Sequence, residues 1–218
     1  MLNRDSIEHQ LQLAIEILKR GGVIAFPTDT VYGLGADPYN EQAVERIFTI
    51  KNRPKNLRLP LLLADVSDLT NVASKVPEIA WQLAEHFLPG GLTLVLQKSP
   101  WIPNTLTAGS DTIAVRIPNN PIAIALIRGL GKPLIGTSAN ISGMPSAITA
   151  DEVRDQLGEE IDSIVDGGRC PGTIESTVID VSGDIPTIIR EGAISLEEIV
   201  SICSSFPAAL DSKIAETG

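Results

Sequence analysis

The spacing of apolar and polar residues predicts helices and strands that alternate along most of the chain. Apolar side chains between Ile7 and Leu18 recur at helical spacing, after Asp5-Ser6 and before Gly21-Gly22, which are typical helix start and stop signals. The unbroken apolar run Val23 to Phe26 then predicts a buried strand. Further helices are predicted at 42–51, 69–76, 79–87, 121–130 and 150–157.

Short apolar runs bounded by glycine, proline and polar residues predict the remaining strands. These runs lie at 59–64, 92–97, 112–118, 133–140 and 163–168. Near the end of the chain, "STVIDV" and "PTIIRE" flank the turn Ser182-Gly183-Asp184 and predict a hairpin, and Ser195 with Glu198 forms a capping box for a last helix. The pattern indicates an α/β protein with a mixed sheet. We expect a single domain over 1–207 and a flexible tail over 208–218.

Composition narrows the class of protein. The chain has 218 residues, of which 43% are hydrophobic and 20% charged, which suits one sizeable core and argues against disorder. No apolar run reaches the roughly 18 residues of a membrane span, and the polar start "MLNRDSIEHQ" lacks a signal-peptide core. We therefore expect a cytoplasmic protein without a membrane partner. Cys170 and Cys203 are expected to be reduced thiols, and His9 and His86 surface or packing residues, so no metal site is predicted.

The charge distribution points to an anionic ligand or a solvated loop. The net charge of −10 disfavours stable nucleic-acid binding. However, "KNRPKNLR", Lys51 to Arg58, carries several cations and no acid. In an acidic protein such a cluster indicates either a binding site for an anion or an exposed basic loop, and charge alone favours the exposed loop.

Polar clusters follow several of the predicted strands. They are "PTDTVYG", "KNRP", "VRIP", "GTSANISG", "DGG", "ESTV" and "IIREG". Ligands of open α/β sheets bind at such strand ends, where hydroxyls, backbone amides and arginines can hold a phosphate or a carboxylate. Taken singly, the hydroxyls are also typical loop caps, and Arg116 and Arg190 are compatible with surface ion pairs. A P-loop is missing, and "GLGADP" lacks one glycine of the dinucleotide fingerprint.

The order and spacing of these motifs resemble the YrdC/Sua5 family of threonylcarbamoyl-AMP synthases. The resemblance runs from Gly21 to Ser195 and rests on "PTDTVYGLG", "KNRP", "PGGLTLVL", "VRIP", "TSANISG", "DGG", "ESTVIDV" and "IIREGAIS". It implies an α/β fold, a YrdC-like twisted mixed sheet with helices around a large basic cavity. Because the chain ends soon after this region, we expect the short YrdC type without the C-terminal domain of longer Sua5 proteins.

The resemblance also implies an activity. Members of the family combine L-threonine, bicarbonate or CO2, and ATP into L-threonylcarbamoyladenylate and pyrophosphate, with Mg2+ accompanying ATP. A separate t6A transferase complex then passes the threonylcarbamoyl group to adenosine 37 of tRNAs that read ANN codons. A carbamate oxygen attacks the α-phosphorus of ATP, so no covalent enzyme intermediate is required. Catalysis consists of positioning and electrostatic stabilisation.

Matching the family pattern position by position assigns the candidate site residues. The L-threonine site comprises Thr30, Arg116, Gly136 and Ser176. The catalytic cations are Lys51 and Arg53, and the ATP site comprises Lys51, Arg53, Thr112, Ser138, Asn140, Ser146 and Arg190.

The chain departs from the family pattern after "KNRP". The spacer before Pro60-Leu61 is longer than usual and contains Arg58 and Leu59, and the position expected to hold a histidine falls near Ala64. The loop after Arg53 is a candidate lid over the cavity.

Two other functions compete with this prediction. One is the related carbamoyl-adenylate chemistry of hydrogenase-maturation carbamoyltransferases, whose similar module normally sits in a much longer chain. The other is a non-catalytic RNA-binding module. The charge of −10 and the lack of interleaved basic and aromatic residues argue against RNA binding.

Overall fold

The structure, a computed structural model, describes residues 4–172 and 174–203, so the tail predicted at 208–218 lies outside the described residues. The helices are α1 Arg4–Lys19, α2 Glu41–Ile50, α3 Leu69–Val72, α4 Glu78–Phe87, α5 Asn104–Thr107, α6 Pro121–Leu130, α7 Ala150–Leu157 and α8 Leu196–Cys203. The strands are β1 Ile24–Phe26, β2 Gly33–Gly35, β3 Leu61–Leu62, β4 Leu92–Gln97, β5 Thr112–Arg116, β6 Leu134–Ile135, β7 Thr137–Ser138, β8 Ser163–Ile164, β9 Thr177–Asp180 and β10 Thr187–Arg190.

The strands form two mixed sheets. One has the order β7-β2-β1-β8, and the other has the order β10-β9-β4-β5-β3-β6. Parallel pairs (β1 with β8, β3 with β5, β4 with β9) stand beside antiparallel ones such as β4 with β5. The predicted α/β class with twisted mixed strands is confirmed, but the strands are divided between two sheets where one was expected.

The chain passes from one sheet to the other at Gly136. Ile135 ends β6 in the six-stranded sheet, and Thr137 begins β7 in the four-stranded sheet. The Gly136 amide donates to the carbonyl of Pro60 at 3.0 Å, and a Cβ at Gly136 would lie 2.3 Å from Cγ of Leu62. A side chain does not fit here unless Leu62 moves. The single strand expected within "PLIGTSAN" is therefore two short strands in different sheets.

Two apolar clusters hold the sheets and helices together. The larger joins residues of both sheets, such as Leu34 and Leu94, to the inward faces of α2, α4 and α7. The smaller packs α1 and α6 against β1 through residues such as Leu18, Phe26 and Leu126. Apolar burial is the main stabilising term in folding. Here it fixes the two sheets close together and leaves polar strand ends from both of them on one cavity.

Several predicted elements are confirmed with their bounds. The strand at 92–97 is β4, and the helices at 121–130 and 150–157 are α6 and α7. The late hairpin is β9 with β10, paired antiparallel, and the capping box before α8 forms between Ser195 and Glu198.

Other predicted bounds were wrong. The strand at 59–64 is only β3, and the helix at 69–76 ends at Val72 because Ala73 forms an antiparallel bridge with Lys98. The one-turn helix α5 was not predicted, since "NTLT" is too short to show apolar periodicity. No helix among the described residues is long and apolar enough to cross a membrane.

Candidate active site between the two sheets

A cavity of about 290 Å³ lies where strand ends of the two sheets meet. It is lined by most of the predicted site residues, namely Thr30, Arg53, Arg116, Gly136, Ser138, Ser176 and Arg190. Of the described residues, the charged ones in its lining are four arginines, Arg53, Arg58, Arg116 and Arg190, and one acid, Glu175. The positive lining agrees with an anionic ligand. The volume is close to the lower end of the roughly 300–1,000 Å³ range of ligand pockets, so the large cavity stays a prediction.

Arg116, at the end of β5, is held by three hydrogen bonds. Its Nε donates to the carbonyl of Gly90 at 2.9 Å, its Nη1 to Oγ1 of Thr30 at 3.0 Å, and its Nη2 to Oδ1 of Asp29 at 2.8 Å. A guanidinium has five N–H groups, so one remains on each terminal nitrogen. Two such donors match the two oxygens of a carboxylate. The Asp29 charge balances that of Arg116, which is 10% exposed.

Two pairs of hydroxyls belong to the cavity lining, and one of them contacts Arg116. Thr30 Oγ1 lies 3.1 Å from Oγ1 of Thr28, which donates to the carbonyl of Val31 at 2.6 Å. Thr93 Oγ1 lies 2.8 Å from Oγ of Ser176, and both side chains are buried. A buried hydroxyl needs a partner, and each pair leaves further hydrogen-bonding capacity for a ligand. This end of the cavity can therefore hold the carboxylate and the polar groups of an amino acid.

Arg190, at the end of β10, holds the "ESTV" segment in the cavity lining. Its Nη2 donates to the carbonyl of Ser176 at 2.9 Å, and its Nη1 contacts the Glu175 carboxylate. Ser146 is not in the cavity lining, but its Oγ donates to Glu175 at 3.1 Å. The structure thus places Arg190 on the cavity and Ser146 behind the one lining acid.

Lys51 and Asn140 support the cavity from behind. Lys51 is 1% exposed, and its Nζ donates to the carbonyl of Asn140 at 2.7 Å and to the carbonyl of Ser138. Asn140 Nδ2 donates to the carbonyls of Ile141 and Met144 at 3.0 and 2.6 Å. Burial, followed by the charge of Arg53, lowers the pKa of Lys51 to about 8. The two side chains therefore hold the "SAN" loop, and their contact with phosphate stays a prediction.

Arg53, Arg58 and Thr112 form a linked group on another part of the lining. Arg53 Nη2 donates to the carbonyl of Arg58 at 2.8 Å, while its buried Nε has no partner within the part of the chain that the structure describes. Arg58 Nη1 donates to Oγ1 of Thr112 at 2.9 Å. Thr112 itself is not part of the lining. Burial lowers the pKa of Arg53, which indicates a cation held partly out of water.

Sequence reasoning did not assign site roles to Arg58, Thr93 or Asp29. Arg58 was noted in the unusual spacer and in the cation run "KNRPKNLR", which indicated either an anion site or an exposed loop, but it was given no role of its own. Thr93 lay within a quoted motif, and Asp29 beside Thr30, but nothing in the sequence gave their partners. Ala64, where a histidine was expected, is not part of the cavity lining.

Comparison with known proteins gives a family match over most of the chain. The family model Sua5_yciO_yrdC, described as "Telomere recombination", matches residues 16–192. The threonylcarbamoyl-AMP synthase of Pyrococcus abyssi (strain GE5 / Orsay) is 43% identical over 200 residues, which are 91% of this chain and 59% of that protein. The synthase of Bacillus subtilis (strain 168) is 42% identical over 194 residues, 88% of this chain and 56% of that protein. The chain therefore spans less than two thirds of the length of these relatives.

Solved structures show the same likeness. The crystal structure of P. abyssi Sua5 complexed with L-threonine superposes with a TM-score of 0.86 at 43% identity, over 89% of this chain and 57% of that one. The crystal structure of Escherichia coli YciO superposes with a TM-score of 0.80 at 34% identity, over 88% of this chain and 93% of that one.

Proposed function

The chain belongs to the Sua5/YciO/YrdC family, and from this premise we propose that it is an L-threonylcarbamoyladenylate synthase. It would form L-threonylcarbamoyladenylate and pyrophosphate from L-threonine, bicarbonate or CO2, and ATP. The observation that carries the proposal is the meeting of Thr30, Arg116 and Ser176 with Arg53 and Arg190 on one cavity. The Sua5 relative that superposes on the chain was crystallised with L-threonine.

The geometry around Arg116 supports binding of the amino acid at that end. The two N–H groups that remain on its terminal nitrogens suit the α-carboxylate, and they are held in place by Thr30 and Asp29. Ser176 and Thr93 offer hydroxyls to the polar groups of the substrate. Residues fixed in this way reduce the entropy lost when the reacting groups are brought together.

The remaining arginines supply the electrostatic part of the reaction. When the carbamate oxygen of the substrate attacks the α-phosphorus of ATP, negative charge grows on the phosphoryl oxygens and on the departing pyrophosphate. Arg53 and Arg190 line the cavity and can stabilise this charge. Lys51 and Asn140 hold the loop that carries Ser138. No nucleophilic side chain is needed.

Mg2+ is proposed to come with the nucleotide, since the described residues do not offer it a cluster of acidic, histidine or cysteine ligands. Within 4–172 and 174–203, no group of three or more His, Cys, Asp or Glu side chains could hold a metal. The one acid of the cavity lining, Glu175, accepts hydrogen bonds from Arg190 and Ser146. Mg2+ is commonly bound through substrate phosphates, and we propose that it arrives with ATP. A t6A transferase complex would use the product on tRNA.

The test is a reconstitution of the reaction. The protein is incubated with ATP, bicarbonate and labelled L-threonine, and labelled adenylate and pyrophosphate are measured. We expect both products in equal amounts, with strong loss in Arg53→Ala and none in Arg20→Ala, an exposed arginine of α1 that pairs with Glu16. Pyrophosphate release that does not depend on threonine would contradict the proposal. RNA binding at moderate salt without turnover would favour the RNA-binding alternative.

A further inference from the structure

Arg58 lies in the spacer that departs from the family pattern, yet its side chain lines the cavity. We infer that Arg58 binds the polyphosphate of the nucleotide substrate, and that Thr112 acts through Arg58 as a positioning residue. The identity of the nucleotide rests on the proposed function. The assignment of a polyphosphate rests on the contacts and charges of Arg53 and Arg58.

The backbone around Arg58 is held at two points and its side chain at one. Its carbonyl accepts a hydrogen bond from Nη2 of Arg53 at 2.8 Å, and its Nη1 donates to Oγ1 of Thr112 at 2.9 Å. The next residue, Leu59, is fully buried, and its amide donates to the carbonyl of Leu106 at 2.8 Å. An exposed arginine normally samples many rotamers. These contacts fix the backbone of Arg58 beside Arg53, and the bond to Thr112 directs its exposed side chain, so a ligand that binds both arginines meets a partly prepared site.

Thr112 is also held in place. Its Oγ1 lies 3.1 Å from Oγ of Ser110. The same Ser110 Oγ accepts a hydrogen bond from the Thr112 amide at 3.3 Å. The contacts with Ser110 therefore orient the Thr112 hydroxyl that accepts the hydrogen bond from Arg58. Because Thr112 is not part of the cavity lining, an effect of this residue on nucleotide binding is explained by its hold on Arg58.

The charges of Arg53 and Arg58 are only partly balanced by the protein, through the charge of Glu175 acting on Arg53. Among the described residues, neither guanidinium forms an ion pair. Glu175, the one acid in the lining, accepts from Arg190 and Ser146. Because Arg53 and Arg58 line the same cavity, their like charges repel each other across it, although water screens the exposed Arg58. A multiply charged anion between them removes this repulsion.

A polyphosphate suits Arg53 and Arg58 better than an amino acid does. The single carboxylate of an amino acid is matched by the two free N–H groups of Arg116, at the Thr30 side of the cavity. Arg58 donates one hydrogen bond to protein, which leaves four of its five N–H groups. Guanidinium groups bind phosphate oxygens through paired hydrogen bonds. Arg58 and Arg53 together therefore suit a chain of phosphates.

The test measures binding of ATP, inorganic pyrophosphate and AMP to the full chain by calorimetry. We expect Arg58→Ala to raise the Kd for ATP and for pyrophosphate about tenfold or more, as expected for loss of a charged hydrogen bond, and to leave the Kd for AMP within about twofold. Arg58→Lys, which keeps the charge, should recover part of the affinity. The matched control is Arg20→Ala, on the exposed surface of α1, which should bind all three ligands like the wild type.

Thr112→Val tests the positioning role. It should weaken ATP and pyrophosphate binding less than Arg58→Ala does, and it should add nothing in the Arg58→Ala background. A further loss in that background would overturn the role of Thr112. An unchanged Kd for pyrophosphate in Arg58→Ala, or an equal loss of AMP, would overturn the role of Arg58.

The outcomes separate this inference from the proposed function. A wild type that binds pyrophosphate through Arg58 but makes no adenylate would contradict only the proposed function. A wild type that makes the adenylate with no effect of Arg58→Ala on binding would contradict only the role of Arg58. A wild type that binds neither ATP nor pyrophosphate would contradict both.

Discussion

The three guanidinium nitrogens of Arg116 make different hydrogen bonds. Each of the three makes one hydrogen bond to protein, and only the terminal two keep a free N–H. Replacement with alanine should therefore impair the amino acid site and leave the nucleotide site nearly unchanged.

For Arg116→Ala we expect the KM for L-threonine to rise about tenfold to a hundredfold, since hydrogen bonds to charged groups contribute roughly 1.5–3 kcal/mol. The Kd for ATP should change less than about twofold. Steady-state kinetics and calorimetry on the same preparation measure the two values. Small and equal changes for both ligands would contradict the assigned role.

Lys51 is a buried lysine whose position disfavours its charged form. Its pKa is lowered from 10.5 to about 8, first by burial and then by Arg53. Between these two pH values the unfolded chain binds more protons at this residue than the folded protein does. Its contribution to the free energy of unfolding is therefore fully present above about 10.5, and is lost as the pH falls through about 8.

Lys51→Met should be less stable than the wild type at pH 8, because the carbonyls of Ser138 and Asn140 lose their donor. The difference in the free energy of unfolding should increase as the pH rises from 8 to 10, since neutral Lys51 keeps N–H donors without the cost of a buried charge. Urea unfolding at a series of pH values measures it. A difference that shrinks with pH would show that the charged form is the favoured one.

At the scale of elements, the β9–β10 hairpin carries Arg190 to the cavity, and Thr177 ties it to the segment before α8. The buried Oγ1 of Thr177 donates to the carbonyl of Ile194 at 2.6 Å and accepts from the amides of Gly192 and Ile194 at 2.9 and 3.0 Å. These bonds hold the start of β9 against the segment that joins β10 to α8. Arg190 and Ser176 keep their positions through this link.

Thr177→Val, which is nearly isosteric, should lower the free energy of unfolding by about 2 kcal/mol or more, because it leaves buried backbone groups without partners. Thr187→Val on β10 is the matched control, since among the described residues the Thr187 hydroxyl makes a single long bond of 3.5 Å, to the carbonyl of Ile185. The midpoint of urea unfolding measures both variants. Equal midpoints would mean that water replaces the Thr177 bonds.

The elements themselves were predictable to different degrees. Helix α6 was predicted with correct bounds, with Pro121 in its first turn, and in the structure the Asn120 side chain caps its start while Gly131 ends it. The bounds of the two-residue strands β3, β6 and β7 could not be predicted, because these strands are defined by hydrogen bonds to partners far along the sequence. Strands of this length carry no periodicity of their own.

At the scale of the whole molecule, a protein of net charge −10 presents a cavity with four arginines and one acid. We expect the Kd for ATP to increase with salt between about 50 and 300 mM KCl, because ions screen the attraction between phosphates and arginines. Calorimetry across the salt series measures this, and tRNA under the same conditions should not bind stably. An affinity for ATP that does not change with salt would place the nucleotide away from these arginines.

The sequence by itself determined the α/β class, the long helices, the hairpin and the set of polar strand ends, because these depend on local periodicity and on turn residues. It also marked Thr30, Arg53, Arg116, Ser176 and Arg190 as candidates for one site. The tertiary structure decided the partners. It divided the strands at Gly136, turned Lys51 inward to the "SAN" loop, and placed Arg58 on the cavity. Such contacts join residues distant in the chain and depend on how the whole core packs, which no local pattern records.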